Sequence, residues 1–325
     1  MTLGWGIIAT GRIARVVGTV IAQHPGMDVV AVGSRDAARA AALASDLAAR
    51  RSYGSYAQLI EDPEVDAVYV ATPHAQHAGV VETALRAGRA VLCEKPLTHT
   101  LAETERLAGL AEQTGVFLME AMWMRFNPLV QRLRELVVAG ALGVPRSVQA
   151  SFGFAAEYDP DGRLWDPLLG GGSLLDLGVY PVDFARLLLG SPDGIDAAGS
   201  LAPTGVDAEA SLLLSWRSGA RALLSSSLVS QLPGTALVVG SNGFAEIGPS
   251  FHAPTRLVVQ VGGLPLREHL LQDRSSGFVG EVEEVASCMA QGRSQSEVAP
   301  LAETVATMRV LDTAARLLRS RPGPS

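Results

Sequence analysis

Lysine is nearly absent from this chain: of 26 basic residues, 25 are arginines and Lys95 is the only lysine. Arginine stays protonated in a protein, whereas an ammonium can be tuned toward the working pH by burial and neighbours. One titratable cation therefore stands alone among fixed ones. Cysteine is also scarce. Cys93 and Cys288 lie far apart and form no disulfide framework, CxxC motif or zinc site, which suits a reducing cytoplasm. No apolar run reaches the roughly 18 residues of a membrane span, and no basic-then-apolar leader precedes the first strand. A soluble cytoplasmic protein is the expectation. Positive charge is in deficit, with a formal net charge of −7, and nucleic acid and anionic membranes repel such a chain on average. What is present, 48% hydrophobic and 18% charged residues over 325 positions, describes a globular chain long enough for two domains.

The first half alternates apolar runs with helical patterns. Residues 3–9 read as a strand that breaks into Thr10, Gly11, Arg12, Ile13 and Ala14 before a helix to Ala22. Strand, glycine turn and helix is the context of a dinucleotide fingerprint, in which helix N–H groups face a pyrophosphate. Gly11 provides close approach and Ala14 the small third position. The first position is Ala9 rather than glycine, so the motif is degenerate, and an ordinary structural turn is the competing explanation. A second strand, 28–33, ends at Ser34 and Arg35 where an NAD site carries an acid for the ribose hydroxyl. A hydroxyl and a guanidinium suit a 2′-phosphate, which favours NADP over NAD, and Asp36 is a candidate N-cap.

Residues 37–51 read as one surface helix and 56–61 as a short one. The strand 66–71 leads to Thr72, Pro73, His74 and His77, which either touch cofactor or substrate or begin the next helix. Two histidines without a nearby cysteine or acidic cluster make a poor metal site. The apolar run Ala90-Val91-Leu92 delivers Cys93, Glu94, Lys95 and Pro96. Another helix, 101–114, and a strand, 116–120, follow. This alternation predicts a doubly wound parallel sheet, with Lys95 at a strand's carboxyl end on the same edge as the glycine turn and Thr72-Pro73, where such sheets bind ligands.

The pattern changes near Met122, giving a dinucleotide-binding domain over 1–122 and a second domain over 123–325, the C-terminal helix being free to return to the first. Three glycines at 170–172 precede a helical stretch on which Asp176, Tyr180 and Asp183 share a face at i, i+4 and i+7. Acids and a phenol on an apolar helix are costly to bury without partners, and a role beside Lys95 accounts for them. Period-two runs at 146–155, 207–216, 220–228, 236–241, 245–247 and 257–261 predict an open, mostly antiparallel sheet. Ser211, Leu213 and Ser215 alternate with Leu212, Leu214 and Trp216, so one sheet face is left for solvent or a second copy of the chain. Helices are expected at 278–290 and 301–319, and a frayed tail at 321–325.

Taken together, Glu94-Lys95-Pro96 and the segment from Gly170 through Asp183 resemble the Gfo/Idh/MocA oxidoreductases over nearly the full chain. Within that family the similarity is greatest to the dimeric dihydrodiol dehydrogenases, also known as NADP-dependent D-xylose dehydrogenases. The residues carrying it are 118–126, 91–96, and Tyr180 where many members have histidine. The resemblance implies a Rossmann domain followed by an α+β domain, a proton-handling pair of Lys95 and Tyr180 with Asp176 beside them, and Asp183 near substrate. It also implies a small polyol, sugar or diol as substrate and a homodimer through the C-terminal sheet. Ala9 departs from the family's glycine, and its extra methyl is expected to weaken pyrophosphate binding.

Hydride leaves a carbinol carbon only as the hydroxyl proton goes to a base. Free lysine and tyrosine both titrate near pH ~10; an ammonium beside a phenol stabilises phenolate, and burial disfavours an ammonium. Tyr180 is therefore assigned as acid/base and Lys95 as its electrostatic partner, with the reverse assignment open for a coupled pair. Trp123, Phe126, Phe154 and Trp165 are candidate pocket walls or core, and Arg125 and Arg163 candidate substrate contacts or surface charges. The rival readings are a dinucleotide-binding sensor without turnover and a hydrolase, the latter lacking a GxSxG elbow.

Overall fold

The computed structural model describes residues 2–320, and the tail at 321–325 lies outside the described residues. Two compact units divide the chain: residues 1–122 with 278–305, and residues 123–277 with 306–325.

In the first unit, β1 (Leu3–Ile8), β2 (Met27–Gly33), β3 (Arg51–Tyr53), β4 (Ala67–Val70), β5 (Ala90–Glu94) and β6 (Leu118–Ala121) form one sheet of order β3-β2-β1-β4-β5-β6. Every pair in it is parallel. Helices α1 (Arg12–Gln23), α2 (Ala37–Asp46), α3 (Tyr56–Ile60), α4 (His74–Arg86) and α5 (Leu101–Thr114) alternate with the strands. Helices on both faces explain why the strands read as continuous apolar runs; all four residues of β4 are buried. Helix α1 buries Ala14, Val17, Gly18 and Ile21, a single stripe at helical spacing. Helix α5 starts at Thr100, whose side chain accepts from the Glu103 N–H, and stops at Gly115 with φ +66. Such a cap stabilises by about 1 kcal/mol. Val68, Val70, Val91, Cys93 and Leu118 from the sheet pack with Val81, Leu85 and Leu107 from α4 and α5.

The expected helix 37–51 ends early. Ala48 takes a left-handed φ of +53, which a helix cannot continue through, and β3 then pairs on the edge of β2. There Arg51 pairs with Asp62 at 2.8 Å and also with Glu64. Asp36 caps α2 by accepting from Ala38 and Arg39.

In the second unit, α6 (Pro128–Val138) and α7 (Val179–Leu189) accompany an eight-stranded sheet of β7 (Pro145–Gly153), β8 (Gly194–Leu201), β9 (Asp207–Ser215), β10 (Arg221–Ser227), β11 (Ala236–Gly240), β12 (Gly243–Ile247), β13 (Arg256–Val261) and β14 (Arg267–Leu270). Its order is β14-β13-β12-β11-β7-β10-β9-β8, antiparallel except for β7 with β10. The two strands that sequence does not anticipate, β8 and β14, are the two edges. Their Gly-, Ala- and charge-rich stretches form strands by pairing with a neighbour, not by an apolar pattern. Leu212 and Leu214 are buried, while Leu213 and Leu223 are 40% and 52% exposed on the other face. The last helices are α8 (Ser276–Ala290) and α9 (Leu301–Ser320).

Candidate functional site

Parallel order puts the carboxyl ends of β1, β2, β4 and β5 on one sheet edge, and each ends in residues singled out by sequence. After β1, Ala9 turns with φ +83. Gly11 is the N-cap of α1 and makes no side-chain cap; the first turn of α1 carries no acid. A Cβ built on Gly11 meets nothing within 4 Å, so the helix N-terminus is open to an anion. Arg12 is exposed, with Thr10 and Ile13 partly so. After β2, Ser34 is buried and its Oγ accepts the Asp36 N–H at 3.2 Å. Arg35 is exposed at the rim of a hollow of about 610 Å³ that Ser55, Tyr56, Gln76 and Val80 also line.

After β4, Thr72 is 5% exposed and its Oγ1 has no hydrogen-bond partner among the described residues, an acceptor and donor left for a ligand. Pro73 and His74 open α4. His77 lies deeper than the sequence implies. It is fully buried, with Nε2 2.7 Å from the Thr72 carbonyl and Nδ1 2.9 Å from the Pro96 carbonyl. Burial holds its pKa below the ordinary histidine value, against the pull of the carbonyls. His77 thus ties two turns together.

Strand β5 ends in Glu94, and Lys95 follows it, both partly buried. Glu94 Oε1 accepts from the Tyr69 hydroxyl at 2.5 Å, and Oε2 from the Lys95 N–H at 3.2 Å. Tyr69 is fully buried, and burial with the neighbouring charges of Glu94 and Glu281 raises its pKa well above that of a free phenol. Glu281, on α8, is also fully buried, and neither carboxyl oxygen has a hydrogen-bond partner among the described residues. Burial first, then Glu94, raises its pKa well above the carboxylate range. Sequence had no signal for Tyr69 or Glu281, which reads as one polar residue on an ordinary helix.

In the second unit, the stretch expected to be a plain α-helix begins with a π-turn over Leu174–Gly178 and becomes α7 at Val179. The wider turn departs from the plain α-helix just before Tyr180. Asp176, 6% exposed, pairs with Arg163 at 3.0 Å. The preceding glycines are there for space: a Cβ on Gly171 would lie 2.7 Å from the Leu164 carbonyl, and one on Gly172 2.5 Å from Asp207. Asp207 in turn accepts from Ser173 Oγ and the Leu174 N–H at 2.8 and 2.6 Å.

Tyr180 is 5% exposed and its oxygen accepts from Trp123 Nε1 at 2.8 Å. Its ring lies 5.0 Å from that of His252 and 5.8 Å from Phe152, and His252 stacks on Phe152 at 4.2 Å. His252 and Phe152 are absent from the sequence reading, since neither stands in a motif. Three expected substrate contacts have partners within the protein. Asp183 and Arg125 form a buried two-pronged ion pair at 2.9 and 2.6 Å, with Thr307 donating to the same carboxylate at 3.2 Å. Trp165 is 2% exposed, donates to the Glu157 carbonyl at 2.8 Å and belongs to an apolar cluster against which Phe154 packs.

A glycine-turn sheet edge and an aromatic-bound tyrosine are thus present on the two units of one chain. The family described as oxidoreductase with NAD-binding Rossmann fold matches residues 3–122, and the GFO/IDH/MocA C-terminal domain matches residues 130–246. The chain belongs to the Gfo/Idh/MocA oxidoreductase family. Among curated members of this family, trans-1,2-dihydrobenzene-1,2-diol dehydrogenase of Mus musculus is 39% identical, covering 98% of this chain and 97% of that one. The Homo sapiens protein of the same name is 35% identical, covering 96% of each. Of solved structures, aldose-aldose oxidoreductase of Caulobacter crescentus, complexed with glycerol, superimposes with a TM-score of 0.89 at 28% identity over 98% of both chains. A 3-ketoreductase of Actinomadura kijaniata in complex with NADP and TDP-benzene gives 0.86 at 27% identity, again over 98% of both. The chain is an oxidoreductase with a nucleotide-binding Rossmann unit. Among its described residues, no helix is long and apolar enough to cross a membrane.

Proposed function

We propose that this oxidoreductase is an NADP-dependent dehydrogenase or reductase acting on a CH–OH carbon of a small sugar, polyol or diol. One observation carries the reading. The single lysine of the chain stands at the carboxyl end of β5, on the sheet edge that also bears the Gly11 turn, Ser34-Arg35 and Thr72-Pro73. The relatives support the substrate class, since two kinds among them are named as a dihydrodiol dehydrogenase and an aldose-aldose oxidoreductase.

The residues present fit a dinucleotide: the open N-terminus of α1 for the pyrophosphate, the unpartnered Thr72 hydroxyl, and a guanidinium at the rim of the β2 hollow. When bound, the cofactor supplies a nicotinamide carbon that accepts or returns a hydride. Ala9, Thr10, Gly11, Arg12 and Ile13 hold the phosphates, Ser34 and Arg35 the ribose 2′-phosphate, and Thr72, Pro73, His74 and Glu94 the inner half. Tyr180 takes the substrate hydroxyl proton on oxidation and returns it on reduction; Lys95 orients the hydroxyl and balances the phenolate charge. The exposed sheet face with Leu213 and Leu223 supports a homodimer, which sedimentation tests.

The decisive experiment is a screen of NADP reduction with aldoses, inositols and dihydrodiols, run on wild type and Lys95→Met. Loss of turnover by about 10²–10⁴ is expected if a proton-handling partner is removed. Unchanged turnover overturns the assignment. Arg35→Asp is expected to abolish preference for NADP over NAD, and a preserved preference removes Arg35 from the phosphate site.

A further inference from the structure

We propose that Trp123 is a positioning residue that holds Tyr180 in its proton-accepting form. The inference rests on the reading of Tyr180 as acid/base. An indole N–H can only donate, so at 2.8 Å the Tyr180 oxygen must be the acceptor of that bond. The phenol's own proton is then directed to a different partner, which in turnover is the substrate oxygen. A donor aimed at the phenol oxygen stabilises phenolate more than phenol, and a buried site strengthens the effect because water does not compete. In alcohol oxidation the proton passes from the substrate hydroxyl to the phenolate oxygen as hydride leaves carbon. In reduction both return, and Trp123 keeps its own proton throughout.

Two further features fix this geometry. The Tyr180 ring is held by Phe152 and His252, and the His252 ring is in turn 5.8 Å from that of Trp123. At the backbone, a Cβ on Gly277 would sit 2.5 Å from the Trp123 carbonyl oxygen, so only glycine lets the two segments meet there. Titratable neighbours of Tyr180 include His252, in ring contact, and Asp176 and Asp183 on its own helical segment. Asp176 is paired with Arg163 and Asp183 with Arg125, while Phe152 adds no charge.

The test is the pH dependence of kcat/KM for alcohol oxidation in Trp123→Phe, which keeps a ring and removes the donor. The limb that reports the base is expected to move up by about one pH unit, with a loss of about tenfold at neutral pH that recovers above the shifted limb. The KM for NADP is expected to stay unchanged. Gly277→Ala, which displaces Trp123 without altering the indole, is expected to move the limb in the same direction by less, and covers the case in which Trp123→Phe folds poorly. A His252→Phe background separates imidazole titration from that of the phenol. A profile superimposable on wild type, or a loss independent of pH, overturns the proposal. Tyr180→Phe separates the two readings: if it retains turnover, the assignment of Tyr180 itself falls, whatever Trp123 does.

Discussion

The hydroxyl of Tyr69 donates to Glu94 at 2.5 Å from within the sheet, one residue before the only lysine of the chain. The same carboxylate accepts the Lys95 N–H, so a fully buried phenol fixes the turn on which Lys95 is carried. Glu94 thereby has a job that the Glu-Lys-Pro motif does not disclose.

Tyr69→Phe removes that donor and nothing else. A hydrogen bond to a charged group contributes about 1.5–3 kcal/mol, and a loss in that range is expected in urea unfolding. Turnover is expected to fall as the Lys95 turn loosens, with the KM for NADP little changed. Full stability and full turnover in the variant would remove the role given to this bond.

Glu281→Gln tests the buried acid. Burial raises the folded-state pKa of Glu281 above its ordinary value, so its stabilising protonation is complete below the carboxylate range and is lost as pH rises. Above the ordinary value the unfolded chain releases this proton while the folded chain keeps it, and stability declines by up to about 1.4 kcal/mol per pH unit. Glutamine has no proton to release. The variant is expected to gain on wild type progressively as pH rises above the ordinary carboxylate range, in denaturant midpoint, and parallel curves would show that Glu281 is ionised.

Breaking the Arg125–Asp183 pair leaves a charge in a site where both side chains are under 5% exposed. Arg125→Ala is expected to cost about 3–5 kcal/mol, and replacing both partners by apolar residues of similar volume to restore most of it. A loss below about 1 kcal/mol in guanidinium unfolding would return the pair to a surface-like role.

Ala9 holds φ +83 at the first position of the glycine turn. A left-handed conformation costs an L-residue about 1–2 kcal/mol, of which glycine's greater freedom in the unfolded chain takes back about 0.4–1. Ala9→Gly is expected to raise stability by roughly 0.5–1 kcal/mol, measured as a shift in Tm. A lowered Tm would mean that the methyl contributes contacts worth more than the strain.

The first sheet was legible because parallel strands buried on both faces leave unbroken apolar runs, and each is punctuated by Gly, Pro or a cap at its carboxyl end. The bounds expected for α5, 101–114, are those observed. Where sequence failed, the structure rests on distant partners. Strand β3 exists because β2 offers an edge, and β8 and β14 because β9 and β13 do. The π-turn at Leu174–Gly178 differs from an α-helix by one residue of spacing that no composition records.

By itself, the sequence determined which residue types stand at the candidate positions. One lysine among 26 basic residues, a degenerate glycine turn, a hydroxyl and a guanidinium after β2, and an acid–phenol–acid segment are features of local order, and local order is written along the chain. Only tertiary structure decided what surrounds those residues. Whether a histidine clamps carbonyls, an aspartate takes an arginine, a tryptophan donates to a tyrosine or a glutamate keeps its proton depends on burial and on groups far away in sequence. His77, Asp183, Trp123 and Glu281 were settled there, because desolvation and hydrogen-bond geometry arise only when the chain has folded.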